Sequence, residues 1–228
     1  MRRTVPTALA TLATTALLAA SGAVTPARAD TAVPVVFVHG RNADGGVWGT
    51  AISRLEARGY PADRLFTWSY DTSASTNETL AGQLSAYVDG VLARTGATRV
   101  DLVAHSLGSL PTRWYAEYGN GARTVRNWIS LAGPNHGTNL AWACALWDQG
   151  CRDMTPGSYV VSHLNANGET PGPVHYWTFW SSCDEQILPA TSTPLAGAVN
   201  TQAACLKHND FLSDPTVLDR VGEILAAG

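Results

Sequence analysis

The apolar positions of this chain follow two alternating patterns. Short apolar runs, typical of buried strands, alternate with longer stretches whose apolar residues recur at helical spacing. The predicted strands are 33–38, 65–70, 99–104, 125–131 and 174–180, with a weaker one at 198–202. The predicted helices are 47–57, 80–95, 107–118 and one that begins at Pro215. This alternation predicts an α/β fold, with a mostly parallel central sheet flanked by helices on both faces.

Residues 135–173 follow neither pattern. They are rich in Gly, Asn and Pro and predict an irregular segment. Asp148 and Asp153 lie in it and are expected to be solvated surface groups. In a parallel sheet, functional residues gather beyond the carboxyl ends of the strands, so candidate chemistry is expected there.

The N-terminal region has the pattern of a secretory signal peptide. Arg2 and Arg3 form a basic start, residues 8–24 are apolar, and residues 27–29 (Ala-Arg-Ala) fit a cleavage site. Residues 1–29 are therefore predicted to be a signal peptide and residues 30–228 a secreted catalytic domain. A membrane anchor is the alternative, but the apolar stretch is short for a bilayer and a good cleavage site follows it. No transmembrane anchor is expected.

Composition and cysteine usage narrow the class further. The chain is 45% hydrophobic and 14% charged, with a net charge of −3, which favours one compact domain and argues against a nucleic-acid partner. Four cysteines in an exported chain suggest two disulfides, with three possible connectivities. We favour Cys144–Cys151 and Cys183–Cys205. No metal site is expected, because the chain has neither a C-x-x-C nor an H-x-x-x-H pair.

The strand 99–104 leads directly into Ala104-His105-Ser106-Leu107-Gly108, and a predicted helix follows. This is the nucleophile-elbow pattern G-x-S-x-G, with alanine in place of the first glycine. Small residues are needed two positions before and after the serine, because larger side chains would crowd the neighbouring backbone in so tight a turn. Ser106 is therefore the candidate nucleophile. The alternative is an ordinary serine in a strand-to-helix turn.

A serine hydroxyl needs a general base, and His208 is the preferred candidate. It lies between the last predicted strand and the last helix, which suits the chain order serine, acid, histidine of such sites. Three other histidines follow Ser106 at less suitable positions: His136, His163 and His175.

The base needs an orienting acid, and Asp184 is the preferred candidate. It follows the strand 174–180 and so lies at the expected edge of the sheet, with Glu185 as the runner-up. The favoured Cys183–Cys205 disulfide would join the loop of Asp184 to the loop of His208.

The tetrahedral intermediate of acyl transfer carries an oxyanion that needs two hydrogen-bond donors. The candidates are the backbone N–H of Leu107, directly after the serine, and that of Arg41, in the loop after the strand 33–38. Only the backbone is needed, so the identity of the Arg41 side chain is expected to matter less.

Together with Val-Phe-Val-His-Gly at 36–40 and Ala-Gly-Pro-Asn-His-Gly at 132–137, these motifs resemble the lipase class 2 family. That family includes the minimal α/β-hydrolases related to lipase A of bacilli, and the resemblance runs from about residue 33 to residue 225. It implies a minimal α/β-hydrolase fold and an enzyme that hydrolyses carboxylic esters, including acylglycerols, through an acyl-enzyme. A monomer is expected. The substrate would be an ester or lipid, also at a lipid–water interface, and no cofactor is implied. It maps the site onto Ser106, Asp184, His208, Arg41 and Leu107.

The chain also departs from that family. Residues 135–173 are longer than in its smallest members and are a candidate rim or flap over the site. Pro111 is expected to remove a backbone hydrogen bond and distort its helix. We assign Trp68, Trp114 and Trp128 to the core. The candidates for an acyl pocket or lipid contact are Trp48, Trp142, Trp147, Trp177 and Trp180.

Other functions stay open on the sequence alone. They are hydrolysis of a different ester such as a polyester or phospholipid, acyl transfer, peptide hydrolysis by the same kind of site, and non-catalytic binding on the same fold.

Overall fold

The computed structural model describes residue 1, residues 32–73 and residues 76–227. Apart from its first residue, the predicted signal peptide lies outside the described residues. Across the described ranges, no helix is both long and apolar enough to cross a membrane.

Six strands form one sheet, in the order β2-β1-β3-β4-β5-β6. The strands are β1 Val35–Val38, β2 Leu65–Trp68, β3 Val100–His105, β4 Val125–Leu131, β5 His175–Trp180 and β6 Val199–Gln202. All five neighbouring pairs are parallel. The predicted α/β fold is confirmed, and the described sheet is parallel throughout.

Seven helices accompany the described sheet. They are α1 Gly49–Ala57, α2 Asn77–Thr95, α3 Ser109–Tyr118, α4 Gly121–Thr124, α5 Gln149–Met154, α6 Tyr159–Ala166 and α7 Pro215–Ala226. Alternate strand residues point to opposite faces of a sheet. Val36 and Val38 pack with α2 and α3, whereas Val35 and Phe37 pack with α1 and α7. Helices therefore cover both faces and leave the carboxyl ends of the strands for loops.

Pro111 lies in the first turn of its helix. Helix α3 begins at Ser109, directly after a 3₁₀ turn over Ser106–Gly108, and the N–H of Ser109 already bonds to the carbonyl of Ser106. The first turn is where a helix tolerates the missing N–H of proline best. A departure from α-helical geometry is thus present just before Pro111, whereas residues 109–118 are α-helical.

The segment predicted to be irregular contains two short helices, α5 and α6, and its two aspartates are not solvated. Asp148 caps α5 by accepting the N–H of Cys151 at 2.9 Å, and it is 3% exposed. Asp153 is also buried and accepts hydrogen bonds from the backbone of Asn77 and the side chain of Gln149. The expectation for both aspartates was wrong, because their partners include residues far away along the chain.

Candidate active site

The carboxyl ends of β1, β3, β5 and β6 lie at one edge of the sheet, because all strands run in the same direction. A cavity of about 590 Å³ opens at this edge, and Arg41, Ser106 and His208 line it. Three of the predicted site residues, which follow three different strands, therefore line the same cavity.

Ser106 stands on a strained, tightly packed turn. Its φ angle is 53°, in the left-handed region that residues other than glycine rarely adopt. A Cβ at Gly108 would lie 2.5 Å from the carbonyl oxygen of His39, so the start of α3 can approach β1 only with glycine there. A Cβ at Gly40 would lie 2.9 Å from Cβ of Ser106. The surrounding backbone thus closes around the serine, which is 8% exposed.

His208 and Asp184 form a buried pair. Nδ1 of His208 lies 3.1 and 3.0 Å from the two carboxylate oxygens of Asp184. Oδ1 of Asp184 also accepts the N–H groups of Gln186 and Ile187. Burial by itself raises the pKa of the Asp184 carboxyl, but these hydrogen bonds outweigh it and hold the pKa below its usual range. The charged carboxylate makes Nδ1 the donor and leaves Nε2 as the proton-accepting nitrogen.

The loops that carry this pair are joined in two ways. Cys183 and Cys205 form a disulfide. Beside it, the hydroxyl of Ser181 donates to the carbonyl of Ala204 at 2.8 Å and accepts the N–H of Leu206 at 2.9 Å. Ser181 has no exposed surface, so this link is shielded from water. The other two cysteines, Cys144 and Cys151, are also bonded to each other. These are the two pairs that the sequence analysis favours.

The loop after β1 is held by a neutral histidine. Burial lowers the pKa of His39, and its ring stacks on Tyr70 with 4.4 Å between centroids. The N–H of Tyr70 points at Nε2 of His39, 3.3 Å away, so the ring proton is on Nδ1. Nδ1 then donates to the carbonyl of Gly40 at 2.8 Å. A trans peptide sets its N–H opposite its C=O, so this contact also orients the N–H of Arg41.

One wall of the cavity comes from residues 138–155, here called the cap segment. Its lining residues are Thr138, Leu140, Ala141, Cys144, Cys151 and Met154. None of the eight tryptophans, all within the described ranges, lines this cavity. The five candidates for an acyl pocket or lipid contact therefore do not form an acyl pocket here, and their contact with lipid stays a prediction. Trp48 is fully buried, whereas Trp142 and Trp147 are 60% and 71% exposed on the outside of the cap segment.

His105 was not among the site residues predicted from the sequence, but it contacts His208. Its Nε2 donates to the backbone carbonyl of His208 at 3.0 Å, and the two rings lie 4.7 Å apart. Burial, and then the nearby His208, lower the pKa of His105 to about 3, so the ring is neutral. Its place before the serine was visible in the sequence, but its contact with His208 was not.

The remaining candidates have other surroundings. Glu185 accepts the backbone N–H of His208 at 3.2 Å, so it meets the backbone of the base rather than its ring. His136 pairs with Glu169 at 2.8 Å, and His163 stacks in an aromatic cluster with Trp114. His175 is exposed at the start of β5, at the opposite end of the strand. Among the described residues, no group of three or more His, Cys, Asp or Glu is arranged to hold a metal ion.

A parallel sheet with a nucleophile elbow and a histidine–carboxylate pair beyond its strand ends is the arrangement of an α/β-hydrolase fold. Residues 32–209 match the family described as lipase (class 2), and the chain belongs to that family. The membership indicated by the motifs is thereby confirmed. Over 70 residues the chain is 34% identical to a triacylglycerol lipase of Pseudomonas fragi. That match covers 31% of this chain but only 23% of the relative.

Solved structures show the same fold at low sequence identity. The chain is similar to the mature form of the Bacillus licheniformis lipase BlEst2, with a TM-score of 0.73 and 16% identity, covering 85% of this chain and 92% of that one. It is also similar to lipase B of Aspergillus fumigatus, with a TM-score of 0.71 and 17% identity, covering 86% of this chain and 52% of that one. At such identities the likeness concerns the fold alone.

Proposed function

We propose that this chain is a secreted serine hydrolase of carboxylic esters that acts on acylglycerols as a triacylglycerol lipase. The observation that carries the proposal is the buried Asp184–His208 pair, whose histidine lines the same cavity as Ser106 on its strained turn. Membership of the lipase class 2 family supports the ester as the substrate class. Residues 30–228 would form the catalytic domain.

In the proposed reaction, Oγ of Ser106 attacks the ester carbonyl while Nε2 of His208 takes the hydroxyl proton. The tetrahedral intermediate collapses, the alcohol leaves with the proton from His208, and an acyl-enzyme remains on Ser106. Water then attacks the acyl-enzyme, again through His208, and releases the carboxylic acid. The Asp184 carboxylate orients the ring and stabilises the imidazolium that forms.

The oxyanion of each tetrahedral intermediate would be held by the N–H groups of Leu107 and Arg41. The first belongs to the turn that begins α3, and the second belongs to a peptide whose orientation is set by His39. Such donors are effective because they are in place before charge develops.

Secretion is supported by two features of the chain. Both disulfides require an oxidising compartment to persist, and the first 29 residues have the pattern of a cleaved signal peptide. N-terminal sequencing of protein recovered from the culture medium is expected to begin at Asp30.

The test is hydrolysis of p-nitrophenyl esters by the purified mature protein. Ser106→Ala is expected to abolish turnover, and Asp184→Asn and His208→Ala to lower kcat by roughly 1,000-fold or more, with folded circular-dichroism spectra. Full activity in Ser106→Ala would overturn the serine mechanism. An inactive wild type on all esters would favour a non-catalytic binding protein.

An esterase for dissolved short-chain esters is the rival assignment. The wall of Leu140, Ala141 and Met154 offers an apolar surface to an acyl chain, which favours the lipase. Rates with tributyrin below and above its solubility limit separate the two. A lipase continues to gain rate above the limit, whereas an esterase saturates below it.

A further inference from the structure

We propose that Asp148 is a positioning residue of the oxyanion hole, which it holds in place through the side chain of Arg41. The proposal rests on the proposed function, in which the backbone N–H of Arg41 is an oxyanion donor. Nε and Nη2 of Arg41 lie 2.9 and 2.6 Å from Oδ2 of Asp148. The two side chains are 29% and 5% exposed, so the contact is a shielded, charge-assisted one rather than a mobile surface pair.

Asp148 is itself rigidly placed. Its Oδ1 accepts the N–H of Cys151 at 2.9 Å, and its own N–H donates to the carbonyl of Cys144 at 3.1 Å. The Cys144–Cys151 disulfide closes a short loop around it. One carboxylate oxygen thus caps α5 while the other faces Arg41.

The cap segment and the loop of Arg41 also share a second support, the turn after β2. The N–H of Gln149 donates to the carbonyl of Ser73 at 2.9 Å, and a Cβ at Gly150 would lie 2.3 Å from the carbonyl oxygen of Thr72. On the other side, the N–H of Asn42 donates to Oγ1 of Thr72 at 3.1 Å. The Arg41–Asp148 ion pair and the contacts with the turn after β2 thus hold the loop of Arg41 from two sides.

This arrangement gives the Arg41 side chain a role that the backbone alone would not need. His39 sets the carbonyl of the Gly40–Arg41 peptide from the sheet side, and Asp148 holds the side chain of Arg41 from the cap side. An oxyanion donor stabilises the transition state only when it lies at hydrogen-bond distance, and small displacements cost rate steeply. The cap segment is therefore a supporting part of the oxyanion hole as well as a wall of the cavity.

The test uses Asp148→Asn and Arg41→Met. Asparagine still accepts at a helix N-cap, so α5 is retained while the charge is lost. Methionine keeps the backbone N–H and an apolar stem. Each variant is expected to lower kcat by roughly 10- to 100-fold, with KM changed by less than about twofold, since only the transition state uses the donor. The double variant is expected to lose no more than either single one.

A second readout separates positioning from general weakening of the fold. A boronic acid forms a tetrahedral adduct with the serine and should lose affinity in proportion to kcat, because it imitates the transition state. The control is Asp219→Asn, which removes ion pairs with Arg54 and Arg58 away from the cavity. It is expected to leave kcat and boronate affinity at their wild-type values.

The possible failures are distinguishable. If the wild type hydrolyses esters and Ser106→Ala does not, but Asp148→Asn keeps full kcat, the proposed function stands and the role of Asp148 is wrong. The role is also wrong if Asp148→Asn loses rate while Arg41→Met does not, or if the losses are additive. If the wild type hydrolyses no ester, it is the proposed function that fails.

Discussion

Gly40 shows at the scale of one residue how closely the backbone surrounds the serine. A Cβ there would lie 2.9 Å from Cβ of Ser106 and 3.1 Å from Nδ1 of His105. Neither neighbour can retreat easily, because Ser106 is on a strained turn and His105 is buried. Gly40→Ala is therefore expected to lower kcat on p-nitrophenyl butyrate by roughly 100-fold while the protein still folds.

The matched control is Gly90→Ala. Gly90 lies in α2, is exposed, and a Cβ there would meet nothing within 4 Å. Alanine in a helix interior is expected to raise the free energy of unfolding by about 0.5–1 kcal/mol and to leave kcat unchanged. Wild-type kcat in Gly40→Ala would show that the loop can move away from the serine without affecting it.

Residues marked by local sequence were predictable, and those marked only by distant partners were not. Ser106 lies in a strand–turn–helix motif that is complete within a few residues, so its place could be found from sequence. Asp148 pairs with Arg41, 107 positions away, and Asp153 with Asn77, 76 positions away. No sequence pattern near either aspartate indicates its partner, so both were predicted to lie on the surface.

At the scale of elements, the strands and the long helices were predicted correctly from the sequence, whereas the short helices within residues 135–173 were not predicted. A helix as short as α5 is not stable by propensity alone, since nucleation is costly. It forms here because Asp148 caps it and a disulfide holds its first turn. These are tertiary and covalent contributions, which hydrophobic periodicity does not register.

The disulfide between Cys183 and Cys205 is expected to support both stability and chemistry, because it joins the loop of Asp184 to that of His208. The two cysteines are 22 positions apart, and a loop of that length is worth about 3 kcal/mol in the chain-entropy description. Cys183→Ala/Cys205→Ala is therefore expected to lose about that much free energy of unfolding in urea and to lower kcat.

The two effects of that change can be separated by working at low temperature, where the variant stays folded. A lower kcat there means that the disulfide orients the Asp184–His208 pair. An unchanged kcat means that the hydrogen bonds of Ser181 to Ala204 and Leu206 are sufficient to hold the loops together. An unchanged free energy of unfolding would contradict the prediction for stability.

At the scale of the whole molecule, the parallel sheet explains why residues from four separate strand ends meet. All strands end at the same edge of the sheet. The residues that follow four of them therefore lie close together, although no local sequence pattern links them: Arg41, Ser106, Asp184 and His208. The same closeness buries groups that titrate near neutral pH. His105 lies under His208 and near Asp184 and His39, with its pKa lowered to about 3 chiefly by burial.

That burial predicts how the stability of the molecule depends on pH. Below its usual pKa of 6.5 the His105 ring takes up a proton when the chain unfolds, but in the folded protein it stays neutral down to about pH 3. The unfolded state thus binds more protons across this window, and stability falls as the pH falls through it, by at most about 1.4 kcal/mol per pH unit from this group.

Urea unfolding between pH 4 and 8, roughly the window of histidine titration, measures the effect. His105→Gln is expected to flatten the profile below about pH 6, with the buried His39 and, towards pH 4, the Asp184 carboxyl leaving some slope. His175→Gln, at an exposed site, is expected to follow the wild type, and a His105→Gln profile parallel to the wild type would refute the argument.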